Sequence, residues 1–197
     1  MPSLRLVSLL LVAITIGSLL WSSLWYFRQV KCDRWKLIYK ISIYLCMGIH
    51  GWAIAVSTDP PLWSQIGGIV LLLLILGIFW SAVAAHGQTR PAFAFDQHQV
   101  TRIVQTGPYR FVRHPFYTSF LLSQAATAMV AGQPALLLTI PWFAFFYIRA
   151  ARAEESFLLS NNLADEYRDY CARTGRFLPR LVSTKRAGPA HTQSFVR

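Results

Sequence analysis

Long apolar runs separated by short polar turns dominate the chain. Leu6–Phe27, Ile38–Val56 and Ile66–Ala85 each reach the roughly 17–25 residues that a helix needs to cross a hydrocarbon core. Phe116–Ala131 and Ala135–Ile148 are shorter and carry Ser119, Ser123, Gln124 and Thr127. Ala131-Gly132-Gln133-Pro134 joins them, which predicts a helical hairpin with both ends on one side of the membrane. After Ile148 the pattern changes. Over Arg149–Cys171, Phe157, Leu158, Leu163, Tyr167 and Tyr170 form an apolar side and Glu154, Glu155, Asp165, Glu166 and Asp169 a polar one, so a further helix is expected, ended by Gly175. The fold class is an all-α integral membrane protein with about five transmembrane helices, followed by a cytoplasmic C-terminal helix. Three regions follow: a three-helix membrane region over 1–85, a core of loop, hairpin and helix over 86–184, and a basic, disordered tail over 185–197.

Composition agrees with that class. Of 197 residues 54% are hydrophobic and 14% charged, against about 25% charged in soluble domains. The net charge of +11 could suggest a nucleic-acid binder, but its distribution argues otherwise. Of the 19 Lys and Arg residues only Arg5 falls on the side of Asp59-Pro60-Pro61 and Gly132-Gln133-Pro134, which leaves 18 on the other. That asymmetry is the positive-inside pattern and predicts an outside N-terminus and a cytoplasmic C-terminus. Anionic lipid headgroups are the expected partners of this charge, and no nucleic acid is expected. Trp21, Trp25 and Tyr26, followed by Arg28 and Lys31, read as an interfacial belt with a stop-transfer flank, so a retained anchor is expected rather than a cleaved signal. The length and the lack of an organelle signal point to a prokaryotic inner membrane.

Cys32, Cys46 and Cys171 are odd in number and far apart, and the five histidines show no metal-ligand spacing. No metal site is expected.

The chemistry concentrates in Gly107-Pro108-Tyr109-Arg110-Phe111-Val112-Arg113-His114-Pro115-Phe116-Tyr117. Ionisable residues where a chain meets a membrane helix are costly unless they bind something. As a plain alternative, Arg110 and Arg113 could simply anchor the fourth helix at the interface. A helix N-terminus beside Arg and His would also hold a carboxylate or phosphate. Glu154 and Glu155 follow the fifth run. Adjacent helical positions point about 100° apart, so the two acids should serve different partners, one a cationic ligand group and the other an arginine. They could equally pair with Arg149 and Arg152. Tyr167 and Tyr170 share a helix face, and Arg176 precedes Phe177-Leu178-Pro179; packing is favoured there over a binding role. His86, Gln88 and Arg90 close the third run as boundary residues, and His50 carries no specific suggestion.

The ordered set from Gly107-Pro108-Tyr109-Arg110 through Arg113-His114-Pro115-x-Tyr117, Glu154-Glu155, Tyr167, Tyr170 and Arg176–Pro179 resembles the membrane methyltransferases typified by isoprenylcysteine carboxyl methyltransferase and the phospholipid N-methyltransferases. The resemblance covers roughly 87–179. It implies S-adenosyl-L-methionine as cofactor without a Rossmann domain, in agreement with the absence of Gly-x-Gly-x-x-Gly. It also implies that Gly107, Pro108, Tyr109, Arg110, His114, Pro115, Tyr117, Glu154 and Tyr167 bind that cofactor. Arg113, Glu155 and Arg176 would be catalytic: an arginine to orient an acceptor carboxylate, or Glu155 or His114 as base for an amine or phenol. The expected function is methyl transfer to a lipophilic small-molecule or lipidated acceptor, most like isoprenylcysteine carboxyl O-methylation. A membrane NADPH-dependent sterol-type reductase and a non-enzymatic subunit binding anionic headgroups are the alternatives.

Overall fold

The computed structural model of the chain describes residues 2–27, 34–87 and 102–180. The expected tail over 185–197 lies outside them, as do Arg28, Lys31, Cys32, Gln88 and Arg90. Among the described residues there are six α-helices: α1 Pro2–Trp21, α2 Arg34–Val56, α3 Leu62–His86, α4 Pro115–Ala131, α5 Thr139–Leu159 and α6 Ala164–Arg173. A π-helical turn, Ser22–Tyr26, prolongs α1, and 3-10 turns at Gly107–Arg110 and Pro134–Leu138 precede α4 and α5. This is an all-α membrane protein. Ser3–Tyr26, Leu37–Val56, Leu62–His86 and Pro134–Leu159 are long and apolar enough to cross a bilayer.

The last two spans differ from their apolar runs. α4 has 17 residues, about 25 Å at 1.5 Å per residue, short of a hydrocarbon core of about 30 Å. α5 instead runs past Ile148 through Glu154 and Glu155 to Leu159. A helix keeps its backbone bonds when its end leaves the hydrocarbon, so polarity alone does not end it. The single helix expected over Arg149–Cys171 is therefore two pieces, the end of α5 and the separate α6. Between them Leu163 N–H donates to the Asn161 side chain at 2.9 Å, a local bond that competes with helix continuation.

Pro115 opens α4 at the position where its missing N–H costs nothing. Gly132 closes it with φ 63°, and a Cβ there would sit 2.9 Å from Pro60 Cβ. α3 runs antiparallel along α4: Ser64 donates to the Met129 carbonyl at one end, and Phe79 packs edge-on against Phe116 at the other. α1 is held to α3 by Trp21 stacked on Trp80 and by the Tyr26 hydroxyl on the Val83 carbonyl. Lipid tails are as apolar as leucine, so close packing and interhelical hydrogen bonds must join these helices. His50 does this for α2: its Nδ1 lies 2.6 Å from Thr127 Oγ1 on α4 and its Nε2 lies 3.3 Å from Thr139 Oγ1 on α5. One buried cluster joins Tyr39, Phe79, Phe116, Tyr117, Phe143 and Tyr147, so the core crosses residues 85 and 86 without a break. Leu45, Trp52, Trp63, Val70 and Leu73 face outward, as lipid-facing positions should.

Gly68 marks the closest approach of α3 to α4, where an added Cβ would meet Val130 Cγ2 at 2.7 Å and the Ala126 carbonyl oxygen at 3.2 Å. Gly77 has nothing within 4 Å. Gly68→Ala is expected to cost ~1–3 kcal/mol through overpacking. Gly77→Ala should leave the unfolding temperature in detergent unchanged or slightly raised. Thermal unfolding of both variants checks the pair.

Candidate active site

The site forms where the end of α5 meets two extended segments. Residues 111–114 and 174–177 lie side by side and parallel, with Val112 bridged to Gly175. Arg113 N–H donates to the Gly175 carbonyl at 2.8 Å, Gly175 N–H to the Phe111 carbonyl at 3.1 Å, and His114 N–H to the Arg176 carbonyl at 3.1 Å. Thr118 Oγ1 then donates to the Phe177 carbonyl at 2.9 Å. The backbone donors just ahead of α4 are thus given to the C-terminal strap. Gly175 is required at the bend, since a Cβ would fall 1.7 Å from the Leu178 carbonyl oxygen.

Glu155 sits at the junction and is buried. Its Oε1 accepts from Arg113 Nε and Arg176 Nε, each at 3.0 Å, and lies 3.2 Å from His114 Nε2. Its Oε2 accepts from Arg176 Nη2. Arg113 also donates to the Thr174 carbonyl. Such charge-assisted bonds are the strong kind, and a buried carboxylate needs them to remain ionised.

Glu154 faces a different set. Its Oε1 accepts from the Tyr117 hydroxyl at 2.5 Å, and its Oε2 lies 3.4 Å from His114 Nδ1. Its side chain keeps 28% of its surface exposed against 9% for Glu155. His114 therefore spans both acids with its two ring nitrogens. Burial pushes the imidazole towards the neutral form, but its bonds to Glu154 and Glu155 outweigh this and raise its pKa above the ordinary 6.5. The charged ring can donate to both carboxylates at once. It stacks on Tyr117 with ring centres 5.5 Å apart and a 13° interplanar angle, and Phe177 lies 5.9 Å away.

The structure brings together Arg113, His114, Tyr117, Glu154, Glu155 and Arg176. Pro115 is buried among them as the first residue of α4. The remaining expected ligands stand behind this group. Gly107, at φ 58°, turns tightly against the Ser81 carbonyl and Ala85. Pro108 begins the 3-10 turn, whose Tyr109 is buried, with its hydroxyl 2.9 Å from His86 Nε2 and its carbonyl accepting from Tyr170 at 2.7 Å. The hydroxyl and carbonyl of Tyr109 thus hold it to α3 and α6. Arg110 points outward, and Tyr167 is buried against Tyr170. The two oxygens of Glu155 are shared among Arg113, His114 and Arg176. The ion pairs of both acids run to the loop and the strap. Sequence reasoning missed Thr174 and Phe177, whose roles depend on backbone pairing that leaves no spacing signal.

Residues 63–161 match the phospholipid methyltransferase family. The chain belongs to that family. The matched span begins inside α3, ends just beyond α5, and contains every member of the ionic group except Arg176. The chain is also 33% identical over 129 residues to the nickel-cobalt-cadmium resistance protein NccN of Alcaligenes xylosoxydans xylosoxydans, covering 65% of this chain and 59% of that one. It is 33% identical over 132 residues to the cobalt-zinc-cadmium resistance protein CzcN of Cupriavidus metallidurans, covering 64% and 59%. The aligned part thus spans about three fifths of the length of these relatives.

Two measurements probe the ionic group of this family member. Removing the Glu155 charge strands two guanidinium groups, and a broken buried pair costs about 3–5 kcal/mol. Because Arg176 is 34% exposed, Glu155→Gln is expected to cost roughly 2–3 kcal/mol in chemical unfolding. His114 has a raised folded pKa, so its stabilisation is complete below the ordinary value of 6.5 and is lost as pH rises through the higher folded value. The unfolding temperature between about pH 6 and about pH 9 should therefore fall more in the parent than in His114→Gln.

Proposed function

We propose that this protein transfers a methyl group from S-adenosyl-L-methionine to a lipophilic acceptor at the cytoplasmic face of the membrane. The observation that carries this reading is the division of labour between the adjacent acids: Glu155 is neutralised by Arg113 and Arg176, while Glu154 stays partly accessible beside Tyr117 and His114. An accessible carboxylate flanked by aromatic rings suits a ligand with cationic groups. The donor set fits the cofactor. Glu154 would take its cationic end, with Tyr117 and Phe177 beside it. The spare N–H groups of Arg113 and Arg176 would face its carboxylate, since each guanidinium carries five donors and Glu155 takes only some. The cofactor supplies an electrophilic methyl group on a sulfonium. The protein's share is to align the acceptor within near-attack distance and keep water out.

An amine headgroup is a better acceptor than the carboxylate of an isoprenylcysteine. A carboxylate would need an orienting cation, and the donors that Arg113 and Arg176 keep beyond Glu155 would already be taken by the carboxylate of the methyl donor. The family match favours methyl transfer over a sterol-type reductase and over a headgroup-binding subunit. The basic side of the molecule carries the site, which supports a cytoplasmic C-terminus, and a prokaryotic inner membrane suits the relatives' organisms.

Calorimetric titration of the detergent-purified protein with S-adenosylhomocysteine tests the donor. Binding by the parent, with a loss of about tenfold or more in Glu154→Gln, is expected. Binding of NADPH instead would reject the reading. Radiolabelled methyl transfer into a lipid extract tests the acceptor, since a base-stable product marks an amine and a base-labile one an ester.

A further inference from the structure

α2 lies outside the matched family span, yet one of its side chains reaches towards the acid pair. Tyr39 is 2% exposed. Its ring meets Phe143, Phe146 and Tyr147 of α5 at centre distances of 6.4, 5.6 and 5.9 Å, which brings its hydroxyl beside that of Tyr147. Packed this closely, the two buried phenols restrain each other's rotation.

Tyr147 carries the contact onward. Residues seven apart on a helix differ by about 20° in direction, so Tyr147 and Glu154 lie on one face of α5, two turns apart. Tyr147 stacks on Tyr117 with centres 5.0 Å apart and an 18° angle, and Phe120 lies stacked on its ring at 5.9 Å. Tyr117 in turn stacks on His114 and donates to Glu154. His114, Tyr117 and Tyr147 thus form a ladder of near-parallel rings, with Tyr39 edge-on at its foot at 82°. Stacked rings cannot turn independently, so fixing Tyr147 fixes the plane of Tyr117 and the direction of its hydroxyl.

We infer that Tyr39 is a positioning residue for methyl-donor binding, holding Tyr147 so that Tyr117 and His114 present Glu154 in one orientation. This rests on the reading of Glu154 as the donor's contact. It gives the second helix a part in the site beyond membrane anchoring.

A double-mutant cycle on S-adenosylhomocysteine affinity, measured by calorimetry in detergent, tests the inference. Tyr39→Phe keeps the ring and removes the hydroxyl, and should weaken binding roughly threefold to tenfold. In a Glu154→Gln background the same change should have little further effect. The acceptor KM should not move. Tyr44 lies on the same helix but is 45% exposed, and Tyr44→Phe should leave affinity unchanged. If Tyr39→Phe unfolds, Tyr147→Phe breaks the same hydroxyl pair from the other side and must show the same coupling. Additive losses from Tyr39→Phe and Glu154→Gln, or no loss from Tyr39→Phe, would overturn the role of Tyr39 while leaving the donor reading intact. A parent that binds no S-adenosylhomocysteine would overturn both.

Discussion

The site depends on one carboxylate. Glu155 is the point at which α5, the loop ahead of α4 and the C-terminal strap are joined, because Arg113 and His114 reach it from one extended segment and Arg176 from the other. The backbone bonds between residues 111–114 and 174–177 set the two arginines at the spacing this needs. Side-chain and main-chain pairing therefore support each other. Apolar contacts add to this, since Tyr109 and Val112 of the loop are buried and Phe177 of the strap packs on the aromatic cluster, while Phe111 and Leu178 point outward.

Holding Glu155 in this way leaves its neighbour available. Two adjacent acids in a confined region would repel and one would take up a proton if nothing opposed them. Three basic side chains take up the charge of Glu155, and Glu154, with His114 shared, is left partly exposed. The membrane contributes by excluding water from the inner side of this group, where Tyr117, Tyr147 and Phe120 form a stacked aromatic wall. The chain's membership of the phospholipid methyltransferase family is compatible with the use proposed for this arrangement, the binding of a charged methyl donor beside a lipid phase.

Much of the fold was legible because lipid imposes a coarse rule, that a spanning helix must be long and apolar. That rule located four of the spans and the turn at Gly132. It failed at the end of α5, where the last turns carry Arg149, Arg152, Glu154 and Glu155 although the helix is unbroken, and at Asn161, which separates α6 by a side-chain bond with no periodic signature. Within the site, charge made Arg113, His114, Glu154, Glu155 and Arg176 visible as candidates. The motif that brought in Tyr109 carries no sign of its bonds to His86 and Tyr170, which depend on how α3 and α6 pack around it. Tyr39, Tyr147 and His50 gave no signal because a buried aromatic or histidine in an apolar run looks like ordinary filling until its partners are known.

The placement of the acids on α5 also limits how this protein can adapt to a different bilayer. Phe143, Tyr147 and Glu154 share a face only while the intervening count of residues is kept, and one inserted residue would swing the acids by about 100°. Matching a thicker membrane must therefore be done beyond this stretch, in the Pro134–Leu138 turn or in the other helices. The acid-bearing half of α5 works as a ruler of fixed length, and the freedom to grow or shrink lies at its far end.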